Sequence, residues 1–199
     1  MLKYAGHVFT EIVPGFLYLS SSLPVADKDF LLSYHIRRIV NVSKTIANAY
    51  PDIFEYLTIQ IEDDKTEDIT RYFETCFYFH RQRPFATLVH CECGISRSPS
   101  FVIGYLVAHA QMSLKEACTL VLSKKKNVSP NSGFFLQLID LEESITHKKT
   151  TYPLYDFLAD QVTKSLCFMY DRDIVYNAVV DSTGNIKAAV DFLLGCNFN

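Results

Sequence analysis

Residues 90–98 read His-Cys-Glu-Cys-Gly-Ile-Ser-Arg-Ser, and the spacing Cys91-x5-Arg97 constrains this chain more than any other feature. The run Ala86-Thr87-Leu88-Val89 before it is β-like, and the apolar stretch Phe101–Val107 after it reads as a helix. A strand, a tight turn of small residues and a helix N-terminus make a bowl for an anion. Successive N–H groups in such a turn point inward, and the helix end adds partial positive charge. Arg97, where the helix begins, presents a planar fork that matches two oxygens of a phosphate. Cys91 lies at the bottom of the bowl, where amide dipoles and Arg97 favour thiolate over thiol. The pattern predicts a nucleophile aimed at phosphorus. A lone Cys is ordinarily a buried structural residue, but His, Cys, Gly, Ser, Arg and Ser in fixed order between strand and helix point elsewhere.

Strand-like runs at 16–19, 37–42, 56–61 and 86–90 alternate with helical patterns near 25–34, 67–82, 98–111, 114–125 and 131–146. The alternation predicts an α/β fold with a central sheet flanked by helices. Ser113-Leu114-Lys115-Glu116 is a capping box that starts a helix, and Asn131 after Pro130 reads as another N-cap. The run Lys124-Lys125-Lys126 reads as a solvated helix end, where cations suit the dipole. The polar, proline-terminated segment Thr146–Pro153 predicts a linker over 148–153. Three short helical segments follow, near 155–166, 171–180 and 185–194, with Asp171 and Asn185 as caps. They predict a small C-terminal three-helix bundle over 154–197. Its core is expected from Val162 with Leu166, Val175 with Val179, and Ile186 with Val190 and Leu193–Leu194.

Formal charge is −3, from 19 basic and 22 acidic side chains, which argues against a nucleic-acid partner. Residues 1–153 are balanced at 16 and 16, whereas 154–199 carry three basic and six acidic groups, a second sign of a separate C-terminal unit. The six cysteines show no framework spacing and one is needed as a thiolate, so a reducing compartment, cytosol or nucleus, is expected. No secretory h-region is evident, and the longest apolar run, near 101–109, is about half of what a bilayer crossing needs, so no membrane partner is expected. Cys91-x-Cys93 is too tight for a zinc knuckle, and no metal or cofactor is expected. A disulfide between Cys91 and Cys93 would strain the loop.

The motif resembles the signature of the cysteine-dependent protein phosphatases, and the flanking chain resembles their dual-specificity branch over residues 9–147. Glu11–Ser20 resembles that branch's opening strand and Ile39–Ser43 its next inner strand. Tyr56–Asp63 is similar to the strand leading into the general-acid loop. Ser129-Pro130-Asn131-Ser132-Gly133-Phe134, with Gln137-Leu138 and Glu142 beyond, resembles the helix that braces the phosphate loop. The resemblance implies that Cys91 is the nucleophile and that the loop Glu92, Cys93, Gly94, Ile95, Ser96 and Arg97 cradles the substrate phosphate. It implies that Ser98 helps the thiolate leave, that His90 is structural, and that Asn131 bonds to the loop. Glu92 and Cys93 fall at variable positions of that loop. The general acid is expected two residues after Ile61, at Asp63, with Asp64 the alternative.

The resemblance further implies phosphorylated proteins as substrates, with both phosphotyrosine and phosphoserine or phosphothreonine accepted. The loop carries no Lys or Arg before Arg97, and Glu92 argues against inositol polyphosphates or RNA 5′ ends. The contrasting reading is a catalytically weak adaptor that binds phosphoproteins and recruits ubiquitinated ones. Residues 154–196 resemble a ubiquitin-associated domain, which implies weak ubiquitin binding. Phe168-Met169-Tyr170 stands where that family has Met-Gly-Phe, and Ala178-Val179, Gly184-Asn185-Ile186 and Ala189–Leu194 match its later helices. Met169 replaces the loop Gly, which costs energy if the position takes positive φ.

Overall fold

The computed structural model describes residues 8–81 and 85–195. Five strands form one sheet in the order β1-β2-β5-β3-β4: β1 Phe9–Val13, β2 Leu17–Ser20, β3 Ile36–Asn41, β4 Glu55–Thr58 and β5 Ala86–His90. All neighbours are parallel except β1, which pairs antiparallel with β2. The run Glu11–Ser20 is therefore a hairpin and not a single strand. Gly15 turns it at φ +63°. Glu11 accepts hydrogen bonds from the Gly15 N–H and the Tyr18 hydroxyl, both at 2.7 Å, which pins the turn. The fourth strand is shorter than the apolar run suggests. Ile59 and Ile61 are buried, but they continue past the ladder into the loop at 62–67.

β5 is buried along its whole length at the centre of the sheet, Thr87 and His90 included. Register brings Tyr18, Leu88 and Ile39 to one face, where they join Val25, Leu31 and Ile36 in a cluster. Helix α1 (Lys28–Ser33) contributes Leu31, and a separate 3-10 turn at Pro24–Ala26 supplies Val25, so the expected helix 25–34 is broken in two. The opposite face is covered by α3 (Arg97–His109), buried from Arg97 to Val107. Around α3 lie α2 (Phe73–Arg81), α4 (Leu114–Lys124) and α5 (Ser132–Thr146). Phe73 and Phe77 of α2 stack at 5.2 Å, and Phe77 meets Tyr105 of α3. The predicted capping box at Ser113 and Glu116 is formed, and Asn131 accepts the Phe134 N–H at 2.9 Å.

The chain divides into two compact units at Thr150–Thr151. The second holds α6 (Leu154–Ser165), α7 (Arg172–Asp181) and α8 (Ile186–Leu193). Asp171 and Asn185 cap α7 and α8, and Arg172 joins Asp156 and Asp160 of α6 at 2.7 and 2.9 Å. Val162, Leu166, Val175 and Val179 are buried as expected, but α8 is not inserted as its pattern suggests. It buries Ala189, half-buries Val190 and Leu193, and exposes Ile186 and Leu194. Positive φ falls on Cys167 and Phe168 and not on Met169, so the side chain at 169 carries no such strain.

Gly133 in the first turn of α5 is what lets the 62–67 loop cross that helix. A Cβ at Gly133 would overlap the Lys65 carbonyl. Gln137 one turn on accepts the Ile69 N–H at 2.7 Å and donates to the Glu67 carbonyl at 2.8 Å. Gly133→Ala is expected to destabilise the first unit by about 1–3 kcal/mol, the usual cost of overpacking. It should also open the 62–67 segment to proteolysis. Urea unfolding and limited digestion measure both.

Candidate active site

β5 ends at His90 and α3 begins at Arg97, so residues 91–96 form the turn between the central strand and the buried helix. Three carbonyls, one at the end of β5 and two in the turn, are taken by neighbouring segments. His90 O accepts from Val42 N–H at 2.8 Å, Glu92 O from Ser22 N–H at 3.0 Å, and Ile95 O from Ser129 N–H at 2.8 Å. In a trans peptide the next N–H points the opposite way, so the N–H groups of Cys91, Cys93 and Ser96 turn away from those partners. Gly94 takes φ +68°, and a Cβ there would stand 2.6 Å from the Ser20 carbonyl. Only glycine lets the turn close against β2.

Cys91 is buried in this turn, and its Sγ accepts from the Gly94 N–H and the Ser98 hydroxyl, each at 3.2 Å. Arg97 is buried too. Its Nη1 donates to the Ile61 carbonyl at 3.3 Å, and its Nη2 lies 3.3 Å from Glu92 Oε2. Nε stands 4.0 Å from Asp63 Oδ2 and makes no hydrogen bond among the described residues. An unpaired, buried guanidinium N–H is costly unless an anion completes it, so the site fits a tetrahedral oxyanion.

Asp63 lies over the same turn. Its Oδ1 accepts from Ser96 Oγ at 2.6 Å and Asn131 Nδ2 at 2.9 Å, while Ser96 Oγ accepts the Asn131 N–H at 3.0 Å. Asn131 thus ties the turn and the 62–67 loop together, a wider task than bonding to the turn alone. Asp64 is turned away. Its carboxylate accepts from the Thr66 hydroxyl and N–H, and those bonds hold it below the usual carboxylate range.

Two groups were misread or missed in the sequence. Lys125 is fully buried, with Nζ donating to Asn127 Oδ1 at 2.9 Å, so the middle of the lysine run is not solvated. Burial draws its pKa down, while negative charge on Cys91 and Cys93 pulls it back up. Only its place between two ordinary surface lysines hid it. Glu92 spans from the Thr45 and Ser43 hydroxyls on one oxygen to Arg97 on the other. Its contribution to the cradle is main chain; Cys93 is exposed.

A buried cysteine and a buried arginine fork thus share one turn on a central parallel sheet, the arrangement of a phosphatase fold. Residues 17–144 match the dual specificity phosphatase catalytic domain. The chain belongs to the dual specificity phosphatase family. It is 39% identical to human dual specificity protein phosphatase 5 over 68% of its own length, but that stretch is 36% of the relative. It is 37% identical to dual specificity protein phosphatase 1B of Arabidopsis thaliana over 72% of this chain and 87% of that one. Among solved structures it resembles human tyrosine phosphatase-like serine/threonine/tyrosine-interacting protein, with TM-score 0.65 and 29% identity over 71% of this chain and 99% of that one. Human DUSP28 is alike to the same degree, with TM-score 0.65 and 28% identity over 71% and 99%.

His90, behind the nucleophile, is buried, and burial pushes its imidazole down to about 4 against a smaller upward pull from the Cys91 backbone. It stays neutral in the folded protein at neutral pH. The unfolded chain takes up this proton near 6.5 and the folded chain only near 4, so stability present above pH 6.5 is lost as pH falls toward 4. The loss approaches about 3 kcal/mol. His90→Gln should flatten the fall in urea stability between pH 6.5 and 4.5, measured by circular dichroism.

Proposed function

We propose that the protein dephosphorylates phosphoproteins, at phosphotyrosine and at phosphoserine or phosphothreonine, through a phosphocysteine intermediate. The observation that carries this is Cys91 Sγ, held by Gly94 N–H and Ser98 Oγ, in one turn with the buried fork of Arg97. The Cys91 thiolate attacks phosphorus in line, forming the S–P bond as the ester P–O bond breaks. The leaving oxygen takes a proton from Asp63, whose Oδ1 is engaged by Ser96 and Asn131, leaving Oδ2 to carry it. Water then attacks the phosphocysteine and gives its proton to Asp63. The S–P electron pair returns to sulfur, where the Ser98 hydroxyl supports the thiolate. Arg97 and the turn's N–H groups meet the charge on the equatorial oxygens.

Cys91→Ser is expected to abolish turnover while inorganic phosphate still binds, and chelators should leave the wild-type rate unchanged; a wild-type rate in the Ser variant sinks the mechanism. Asp63→Asn should slow an alkyl phosphate by about 10²-fold and an aryl phosphate with a good leaving group far less. The same pattern in Asp64→Asn alone would move the acid by one residue. Comparable kcat/KM on phosphotyrosine and phosphothreonine peptides is expected. The likeness to a phosphatase-like interacting protein is the one feature favouring an adaptor reading, and the complete set Cys91, Arg97, Ser98 and Asp63 weighs against it.

For the second unit we infer a ubiquitin-associated-like domain over 154–197 with weak ubiquitin binding. Phe168, Met169, Phe192 and Leu194 are exposed, and the Tyr170 hydroxyl donates to the Leu193 carbonyl at 2.6 Å, bringing that loop to the end of α8. The result is an apolar patch on an acidic unit, complementary to an apolar face with basic neighbours. The free thiols at 76, 91, 93, 118 and 167 suit a reducing compartment, cytosol or nucleus. Titrating labelled ubiquitin with the whole chain should shift ubiquitin resonances with Kd near about 1 mM, about −4 kcal/mol of binding. No shifts at that concentration would leave the unit without this role.

A further inference from the structure

The Arg97 fork is shared between two carboxylates. In a guanidinium, Nε–H and one Nη2–H lie parallel on one edge, the edge that takes two oxygens of a phosphate at once. On that edge Nη2 is 3.3 Å from Glu92 Oε2 and Nε is 4.0 Å from Asp63 Oδ2. Nη1, on the far side, is committed to the Ile61 carbonyl. A phosphate that takes the whole edge therefore competes with Glu92 for Nη2 and its charge. Glu92 is held well enough for this to matter. Thr45 and Ser43 hydroxyls grip its other oxygen, and these bonds, Thr45 foremost, with the Arg97 charge hold its carboxyl below the ordinary range. It is ionised at neutral pH.

The direction in which Glu92 yields is set by its tether. Ser43 and Thr45 line a groove of about 380 Å³, which also includes Lys44, Asn48, Thr58 and Gln60. The groove's one cation, Lys44, is already paired with Glu62 at 3.2 Å. A Glu92 carboxylate turned from Arg97 keeps its hydroxyl partners and stands at this groove with its charge unmatched. Resting on the phosphatase reading above, we propose that Glu92 is a specificity-determining residue. It competes with the substrate phosphate for Arg97 and, once displaced, selects phosphopeptides that carry a lysine or arginine beside the phosphoresidue. An acidic neighbour meets the reverse: a second anion beside an unpaired carboxylate.

Two measurements separate this inference from the function it rests on. Calorimetric titration with inorganic phosphate needs no turnover. Glu92→Gln keeps the shape and removes the competing charge, and should bind phosphate about fivefold or more tightly, the effect of one partly exposed charge pair. A pure positioning role for Glu92 predicts the opposite, weaker phosphate binding. The second measurement compares kcat/KM on two phosphotyrosine peptides that differ only in an Arg or a Glu beside the phosphoresidue. Wild type should favour the Arg peptide by about tenfold, and Glu92→Gln should bring the ratio close to one. The split should lie in KM, with kcat little changed. Should Glu92→Gln fail to fold, Thr45→Val, which loosens the tether, must shift both readings in the same direction by a smaller factor. Unchanged or weaker phosphate binding in the variants, or an undiminished peptide preference, overturns the inference. Absence of turnover on every phosphopeptide would instead overturn the phosphatase reading, with the phosphate titration still deciding the competition.

Discussion

The site depends on the close approach of Gly94 to the Ser20 carbonyl. With a side chain there, the turn after β5 could not close on β2, and the bond between Ser22 N–H and Glu92 O would be lost with it. That bond is one of three that draw main-chain carbonyls outward, together with those from Val42 and Ser129. Once the carbonyls are spent on neighbours, the opposed N–H groups are left to face an anion. The parallel sheet matters because it supplies two of these anchors: residues just past β2 and β3 lie beside the end of β5. An anion bowl at the C-terminal end of a central parallel strand follows from backbone accounting, before any side chain is considered.

The loop that carries Asp63 depends on a different element. Its residues 62–67 carry no ladder bonds, so α5 has to hold them. It does so by having no Cβ at Gly133, by the Gln137 amide, which bonds both Ile69 and Glu67, and by Asn131 at the cap. Asn131 spends its carbonyl oxygen on the helix and its NH₂ on Asp63. One residue thereby starts α5 and ties Asp63 to the turn that holds Cys91.

Legibility in the sequence followed how local each cause was. The turn at 91–96, the caps at Ser113, Asn131, Asp171 and Asn185, and the strand at 86–90 are each specified by a few adjacent residues, and each could be read directly. Of the β1–β2 hairpin, Pro14-Gly15 and the strand after it were legible, but β1 was not, because its partner β2 is not a local property of the run Phe9–Val13. Ile59 and Ile61 alternate like a strand, yet they are buried by the loop's packing and not by pairing. Helix α8 has the apolar spacing of a core helix but presents Ile186, Phe192 and Leu194 to solvent. Periodicity shows that a helix has an apolar face and does not say what covers it.

Charge was the least legible property of all, because it depends on which groups the fold brings together. Lys125 and its neighbours Lys124 and Lys126 are indistinguishable in sequence, and only the fold buries Lys125 where charge on Cys91 and Cys93 acts on it. The turn then sets Arg97 beside Glu92 and Asp63, so the fork already has carboxylates at its edge before a phosphate arrives. A dianion entering such a site gains less from bulk attraction than it would in a cationic pocket. Its binding must come from geometry: the fork edge of Arg97 and the aligned N–H groups of the turn. A site built this way discriminates by shape and by what flanks the phosphate more than by the number of charges on the ligand. That is why the loop's only acidic side chain, at a position where the resemblance allows variation, has consequences out of proportion to its place at the rim.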